Sequence, residues 1–339
     1  MKKKFLVAPA LLLMLAAAYT SWIFFGPNVK SPEKKYFYIK TGENYEQVRS
    51  DLLAQKIIPG KTGFSIAAKF LKYKIARAGR YEIKKGMSII SLVRMLRNGS
   101  QSPVNFVITK IRTKEIFAAK AGKAFECDSL EVINFLNNND SLKRYGMDSN
   151  TVMATLMPYT YAIKWNITAG NLYQQFYTAY KTFWTNSRKQ KADSIKLTPL
   201  QVSTLASIIE EETNKKNDKL NIASVYLNRI KTGMPLQADP TIKFALKDFA
   251  LTRIYHKHLE IVSPYNTYIN TGLPPGPICT PSIETIDAVL DAPKTDYLYF
   301  VASSKLDGTS VFTTNYDDHI KYAHEYQKAL DSLFKLRNK

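Results

Sequence analysis

The stretch Ile39-Lys40-Thr41-Gly42-Glu43-Asn44 returns 44 positions later as Ile83-Lys84-Lys85-Gly86-Met87-Ser88. In each copy an apolar strand end runs into a turn glycine and then into a residue suited to capping a helix. Upstream of the first copy, Tyr36 to Lys40 reads as a strand. Downstream, Val48/Leu52 and Leu92/Leu96 recur at helical spacing, the first helix ending near Ala54. A duplicated strand-turn-helix predicts a small α+β domain over residues 35–110. A third, weaker copy runs from Val107 to Thr113 into a helix near Glu115 to Ala124, with Ile111 where the turn glycine should stand.

Before this domain, Phe5 to Phe25 carries no charged residue and follows Met1-Lys2-Lys3-Lys4. That length matches the ~20 apolar residues of a membrane-crossing helix. Lysines before it and Trp22, Phe24 and Phe25 at its far end predict a short cytoplasmic tail (1–4), a transmembrane anchor (5–25), a linker (26–34) and an exported body. Ala16-Ala17-Ala18 also fits a signal-peptidase site, so a cleaved leader is the alternative; both readings export the body.

The 339 residues carry a net charge of +20, spread along the chain. Such a surface suits a polyanionic neighbourhood. Export excludes genomic DNA, which leaves a membrane face or an acidic wall polymer, and no nucleic-acid partner is expected. Cys127 and Cys279 are too few for a disulfide scaffold or a Cys-based zinc site, and their pairing stays open. The four histidines lack metal-motif company, so neither metal nor cofactor is expected.

Residues 115–195 read as mostly helical, with an Asn-rich turn at Asn137 to Asp140 and an aromatic loop at Met157 to Tyr161. Thr198-Pro199-Leu200-Gln201 then starts a helix with three agreeing signals: a capping threonine, a first-turn proline and a glutamine that closes a capping box. On this helix, running to about Thr213, Leu205, Ile208, Ile209 and Glu212 fall within one stripe at ~100° per residue, whereas Glu210 and Glu211 fall elsewhere. A carboxyl forced onto an apolar face loses water, and its pKa rises into the range of a general acid. A buried structural ion pair is the competing reading.

A second helix, Lys219 to Thr232, stops at Gly233. A polar loop suited to sugar recognition follows at Gly233 to Ile242, and at Ser263 to Tyr268 and Thr271 to Pro281 prolines stiffen a polar, aromatic wall; ordinary Pro/Gly loops are the competing reading for each. Toward the C-terminus, Tyr297 to Val301 and Ser310 to Thr314 read as strands joined through Asp307-Gly308, and an amphipathic helix closes the chain.

Taken in order, these motifs resemble the MltG (YceG-like) family of endolytic murein transglycosylases. The family's Ala-Ser-Ile-Val/Ile-Glu-x-Glu-Thr stands at Ala206 to Thr213, its Asn-Arg-Leu at Asn228-Arg229-Ile230, and its Leu-Gln-Thr-Asp-Pro-Thr at Leu236 to Thr241. Its Tyr-Asn-Thr-Tyr and Gly-Leu-Pro-Pro-Gly-x-Ile stand at Tyr265 to Tyr268 and Gly272 to Ile278. Three positions depart from the pattern: Tyr159 replaces the aspartate of Phe-Pro-Asp-Thr, Ala238 a threonine, and Ile111 a glycine.

The resemblance implies an α+β protein: the N-terminal transmembrane helix, a LysM-like domain at 35–110 and a larger mixed α+β catalytic domain at 111–339. It implies cleavage between N-acetylmuramic acid and N-acetylglucosamine with formation of 1,6-anhydro ends, limiting glycan strand length. Glu212 would be the catalytic residue. Asn228, Gln237, Asp239, Thr241, Tyr265, Asn266 and Thr267 would contact substrate. The implied partners are peptidoglycan strands, the inner membrane through the N-terminal helix, and peptidoglycan synthases, with the body in the periplasm. A muramidase-type hydrolase and a non-catalytic wall-binding anchor are the rival readings.

Overall fold

The apolar N-terminal stretch forms a helix, α1 (Lys4–Phe25), in the computed structural model, which describes residues 4–337. Among the described residues, however, no helix is long and apolar enough to cross a membrane. This overturns the transmembrane anchor expected at 5–25 and the part of the fold class built on it. The last turn of α1 is committed to protein packing instead: Ile23 and Phe24 lie against the core of the small unit. The alpha carbon of Gly63 sits so close that a Cβ there would come within 3.1 Å of Ile23. The expected cytoplasmic tail falls on residues 1–3, outside the described residues, and on Lys4, where α1 begins.

The chain divides into two units, the first comprising residues up to 106 with 122–128 and 161–168, the second 107–121, 129–160 and 169 onward. In the first, β1 (Tyr36–Ile39) leads to α2 (Tyr45–Ala54) and α3 (Lys61–Phe70); β2 (Gly79–Glu82) leads to α4 (Ile89–Asn98) and β3 (Val104–Val107). β1 and β2 pair antiparallel, Tyr36 opposite Glu82 and Ile39 opposite Gly79. Phe37, Ile39 and Tyr81 alternate into the core, as a pleated strand with one covered face requires.

The repeated motif is visible in the backbone. Gly42 and Gly86 both take the left-handed conformation, φ 91° and 85°, which side chains with a Cβ disfavour. Asn44 then accepts from the Gln47 amide at 3.0 Å and Gln47 answers at 2.8 Å, while Ser88 caps α4 from the Ser91 amide at 3.1 Å. Leu52, Leu92 and Leu96 are fully enclosed, each contributing about 1.5–3 kcal/mol. The two copies differ in one element, since α3 follows α2 and has no counterpart after α4.

β3 pairs not with the repeat but with β4 (Thr160–Ile163), so the aromatic loop read at 157–161 ends as a strand. The third copy keeps a strand, β3, and a helix over 114–124, but not the turn between them. Ile111 is buried, and its amide donates to the Thr280 hydroxyl at 2.8 Å, so the segment runs on without a turn.

Helices dominate the rest: α5 (Lys114–Ala124), α6 (Ser129–Asn137), α7 (Asn139–Lys143), α8 (Ala169–Phe183) and α9 (Asn186–Ser194). Then come α10 (Pro199–Glu212), α11 (Lys216–Thr232), α12 (Asp239–Leu246), α13 (His256–Leu259) and α14 (Ile283–Leu290). A hairpin of β5 (Tyr299–Ala302) and β6 (Ser310–Thr313) precedes α15 (Tyr316–Arg337). The core of the second unit forms around α10, whose Val202, Leu205, Ala206, Ile208 and Ile209 are inaccessible to solvent and pack with α11 and α14. Cys127 and Cys279 are buried thiols.

Candidate active site

α10 begins as its sequence demands. Gln201 donates its amide to the Thr198 hydroxyl at 3.3 Å and accepts the Thr198 amide at 2.9 Å, with Pro199 in the first turn. Midway, the Ser207 hydroxyl accepts the Ile278 amide at 2.9 Å and the Cys279 thiol donates to the Ser207 carbonyl at 3.3 Å. The proline-rich segment Gly272–Pro281 is thereby fastened along the helix. Thr280 in turn holds the 109–111 segment, accepting from the Ile111 amide and donating to the Thr109 carbonyl at 2.6 Å.

Three consecutive glutamates then end the helix in three different environments. Glu210 accepts from the Ser282 amide and hydroxyl at 3.2 and 2.8 Å and from the Thr285 hydroxyl, and lies 3.6 Å from the buried Lys219 ammonium. Burial alone would push its pKa up. The hydroxyl bonds and the lysine outweigh it and hold the carboxyl below its usual range. Glu211 takes a two-pronged bond from Arg112 at 3.0 and 2.9 Å and lies 3.6 Å from Lys110. It also lines a cavity of about 60 Å³ with Lys243, Phe249 and Ile278.

Glu212 has no cation within ion-pair distance among the described residues. The residue keeps a little exposure, but its carboxyl is enclosed by protein, and loss of water pushes its pKa up to about 7. The Tyr226 hydroxyl on α11 donates to Oε1 at 2.8 Å and opposes the rise. Asp239 adds to it through repulsion of like charge, and Lys243 and Arg229 act against it at a distance. The structural ion pair weighed as the competing reading is thus found at Glu210 and Glu211 and not at Glu212.

Arg229 ties the surroundings together. Almost fully buried, it donates to the carbonyls of Leu298 and Leu236, both at 2.8 Å, so that α11, the β5 approach and the 233–238 loop share one guanidinium. Burial of this group lowers its pKa, yet it stays within range of Tyr226, Tyr268 and Glu212.

The other expected site residues separate into two groups. Gln237 and Asp239 are exposed. Gln237 adopts φ 51° and its amide donates to the Thr267 carbonyl, while Asp239, at the start of α12, accepts from the Tyr268 hydroxyl at 2.6 Å. Tyr265 is partly covered, its ring 4.7 Å from that of Phe244, and burial pushes its phenol up to about 12.

Thr241, Asn266 and Thr267 are buried and hydrogen-bonded within the protein, and Asn228 is partly buried. Asn228 donates to the Thr295 and Tyr297 carbonyls at 2.8 and 2.9 Å. Asn266, inaccessible to solvent, donates to the Leu259 and Ile261 carbonyls and accepts the Tyr268 amide. Thr267 accepts the Ala238 amide at 3.0 Å and pairs with the Thr241 hydroxyl at 2.9 Å. These bonds place the loop that carries Gln237 and Asp239. Ala238 is itself buried in that loop.

Tyr226, Arg229, Lys243 and Tyr268 escaped the sequence reading as site residues. Tyr226 shares one face of its helix with Leu220, Ala223, Leu227 and Ile230, and a phenol fills an apolar face as well as an aliphatic side chain does, so the sequence does not mark it out. Tyr268 closes the Tyr265 to Tyr268 motif, and its spacing to Asp239 has no periodicity to reveal their contact.

Known proteins resemble this chain over most of its length. The pattern of the YceG-like family matches residues 37–325. A protein of Bacillus subtilis (strain 168) named endolytic murein transglycosylase is 33% identical over 312 residues, covering 85% of this chain and 83% of its own length. One of the same name from Streptococcus pneumoniae (strain R6) is 28% identical over 338 residues, and there the match spans 60% of the relative. The crystal structure of a YceG-like protein from Listeria monocytogenes superposes with a TM-score of 0.55 at 27% identity, covering 84% of this chain and 98% of the other. The chain belongs to the YceG-like family.

Proposed function

We propose that the chain is a lytic transglycosylase that cleaves peptidoglycan glycan strands internally, with Glu212 as acid and then base. The observation that carries this reading is the Glu212 carboxyl, enclosed at the end of α10 with its pKa pushed up to about 7. Such a group holds a proton near neutral pH and releases it readily, as a single residue serving in both directions must.

Protonated Glu212 gives its proton to the glycosidic oxygen between N-acetylmuramic acid and N-acetylglucosamine. The bond to C-1 breaks and the N-acetylglucosamine end departs as an alcohol. The carboxylate then takes the proton of the muramic acid C-6 hydroxyl, whose oxygen closes on C-1 to form the 1,6-anhydro ring. Glu212 ends protonated, ready for another cycle. No water is consumed, so the second carboxylate of ordinary glycosidases is not required as a nucleophile or base. Asp239, exposed and held by Tyr268, offsets positive charge developing on the sugar ring. Gln237 and Tyr265 face the acetamido and hydroxyl groups, while Asn228, Thr241, Asn266 and Thr267 act by holding their loops.

The small unit is assigned as a LysM-like domain that holds glycan, and residues 111–339 as the catalytic domain. The body works outside the cytoplasm on the cell wall, where cleavage limits strand length and peptidoglycan synthases are the candidate partners. A purely adhesive protein has no use for a desolvated acid, which disfavours that rival.

Mass spectrometry of products from uncross-linked glycan tests the reading. Fragments of intermediate length ending in 1,6-anhydromuramic acid are expected from the earliest times. Reducing ends would show that water is the acceptor, and release of disaccharides alone would show an exo-acting enzyme.

A further inference from the structure

Between Asp51 and Glu82 the chain carries seven basic residues and no acidic one. That segment contains α3 and the turn after it. There the small unit has a groove of about 410 Å³, floored by Tyr45 and Tyr73 and rimmed by Arg49, Lys69, Lys72 and Lys74. Among the described residues no carboxylate pairs with the three lysines; Arg49 is held by Glu46 and donates to Ser65 at 3.0 Å. The Tyr73 hydroxyl is buried without a hydrogen-bond partner. An orphaned phenol costs stability unless something arrives to accept its proton.

Next in the chain to the groove residues Ser65, Lys69 and Lys74 stand three large apolar side chains turned to solvent: Ile66 is 51% exposed, Phe70 79% and Ile75 77%. Ile66 and Phe70 are four apart on α3 and so form one stripe, adjacent to the face that carries Ser65 and Lys69. Alternating cations and exposed apolar groups on one surface fit a boundary that is anionic outside and hydrocarbon within. A soluble polyanion would use the lysines and leave the apolar groups in water.

We infer that this face of the small unit seats on an anionic phospholipid bilayer, with a lipid phosphate in the Tyr45/Tyr73 groove and Ile66, Phe70 and Ile75 at the acyl boundary. The association is peripheral and needs no spanning helix. It is independent of the chemistry assigned to Glu212.

The test uses the full chain with one introduced cysteine, Ile75→Cys, carrying an environment-sensitive fluorophore; Val262→Cys, an exposed position of the large unit, serves as control. Cys127 and Cys279 are buried and leave the introduced thiol as the accessible one. The lysines before α1 also favour anionic lipid, but they are shared by both labelled proteins and by the charge-reversed variant, so the response to phosphatidylcholine alone and with phosphatidylglycerol is read at position 75 against these controls.

A blue shift at position 75 only with phosphatidylglycerol, quenched by spin-labelled lipid and absent at 262, is the expected result. It should be lost in Lys69→Glu/Lys72→Glu/Lys74→Glu and weakened in Tyr73→Phe, with melting temperatures preserved. Equal signals in the two vesicles, an unchanged signal in the charge-reversed protein, or the same shift produced by soluble polyphosphate without lipid overturns the inference.

Discussion

The hydroxyl of Tyr226 donates a 2.8 Å hydrogen bond to Oε1 of Glu212, joining the middle of α11 to the last residue of α10. This bond favours the charged form of the carboxyl in a place where burial favours the neutral one. Reactivity at Glu212 therefore depends on a balance that neighbouring residues set.

Glu212→Gln retains shape and can still accept from Tyr226, but it cannot cycle a proton. Turnover should fall by at least ~10²-fold, the scale of general acid catalysis. Near-normal turnover in well-folded protein would falsify the catalytic assignment.

The same substitution has a pH-dependent effect on stability. The folded pKa of Glu212, about 7, lies above its ordinary value of 4.5, so its carboxyl supports the fold fully below about 4.5 and loses that support as pH rises through 7. Relative to wild type, Glu212→Gln should gain stability across that window, on the order of 3 kcal/mol at its upper end. Denaturant melts at several pH values measure this; a difference that stays flat with pH contradicts a raised pKa.

Two substitutions should move the pH profile of kcat/KM in opposite directions. The free enzyme needs Glu212 protonated, so activity declines as pH rises through its pKa. Tyr226→Phe removes the bond that favours the carboxylate and should shift this decline to higher pH. Asp239→Asn removes the like charge that disfavours the carboxylate and should shift it to lower pH, with a slower turnover besides. Shifts in the same direction, or none, would mean that a different group controls the decline.

Glu211→Gln abolishes the paired bond with Arg112 but leaves Glu212 untouched. A loss of about 1–3 kcal/mol in stability is expected, with turnover per folded molecule nearly unchanged. Glu210→Gln should cost more, about 3–5 kcal/mol, since buried Lys219 loses a counter-charge and keeps only Glu284 at 3.3 Å. Melting temperature and turnover measured on the same preparations separate the two effects; a turnover defect in folded Glu211→Gln protein would give that residue a role in the chemistry.

Much of this was legible from local pattern. The copies around Gly42 and Gly86, the caps at Asn44, Ser88 and Thr198, the end of α11 at Gly233 and the phase that sets Glu212 apart from Glu210 and Glu211 all involve neighbours within a few residues. α3 and β4 were not foreseen as elements. The apolar stretch at 5–25 was read from its length, its lack of charge and its flanking lysines and aromatics, and its far end turned out to pack on protein. That Asn266 is buried and Asn228 partly so was not legible, because exposed and buried amides look the same in a sequence.

By itself, then, the sequence determined where helices start and stop and which carboxyl faces the apolar side of α10, because hydrogen-bond caps and the 3.6-residue period act over one or two turns. Only the tertiary structure decided that Tyr226 reaches Glu212, that Tyr268 holds Asp239 across 29 positions, and that Arg112 neutralises Glu211 across 99. Those pairings depend on which polar groups lose water together when the core closes, and that is set by distance in space and not along the chain.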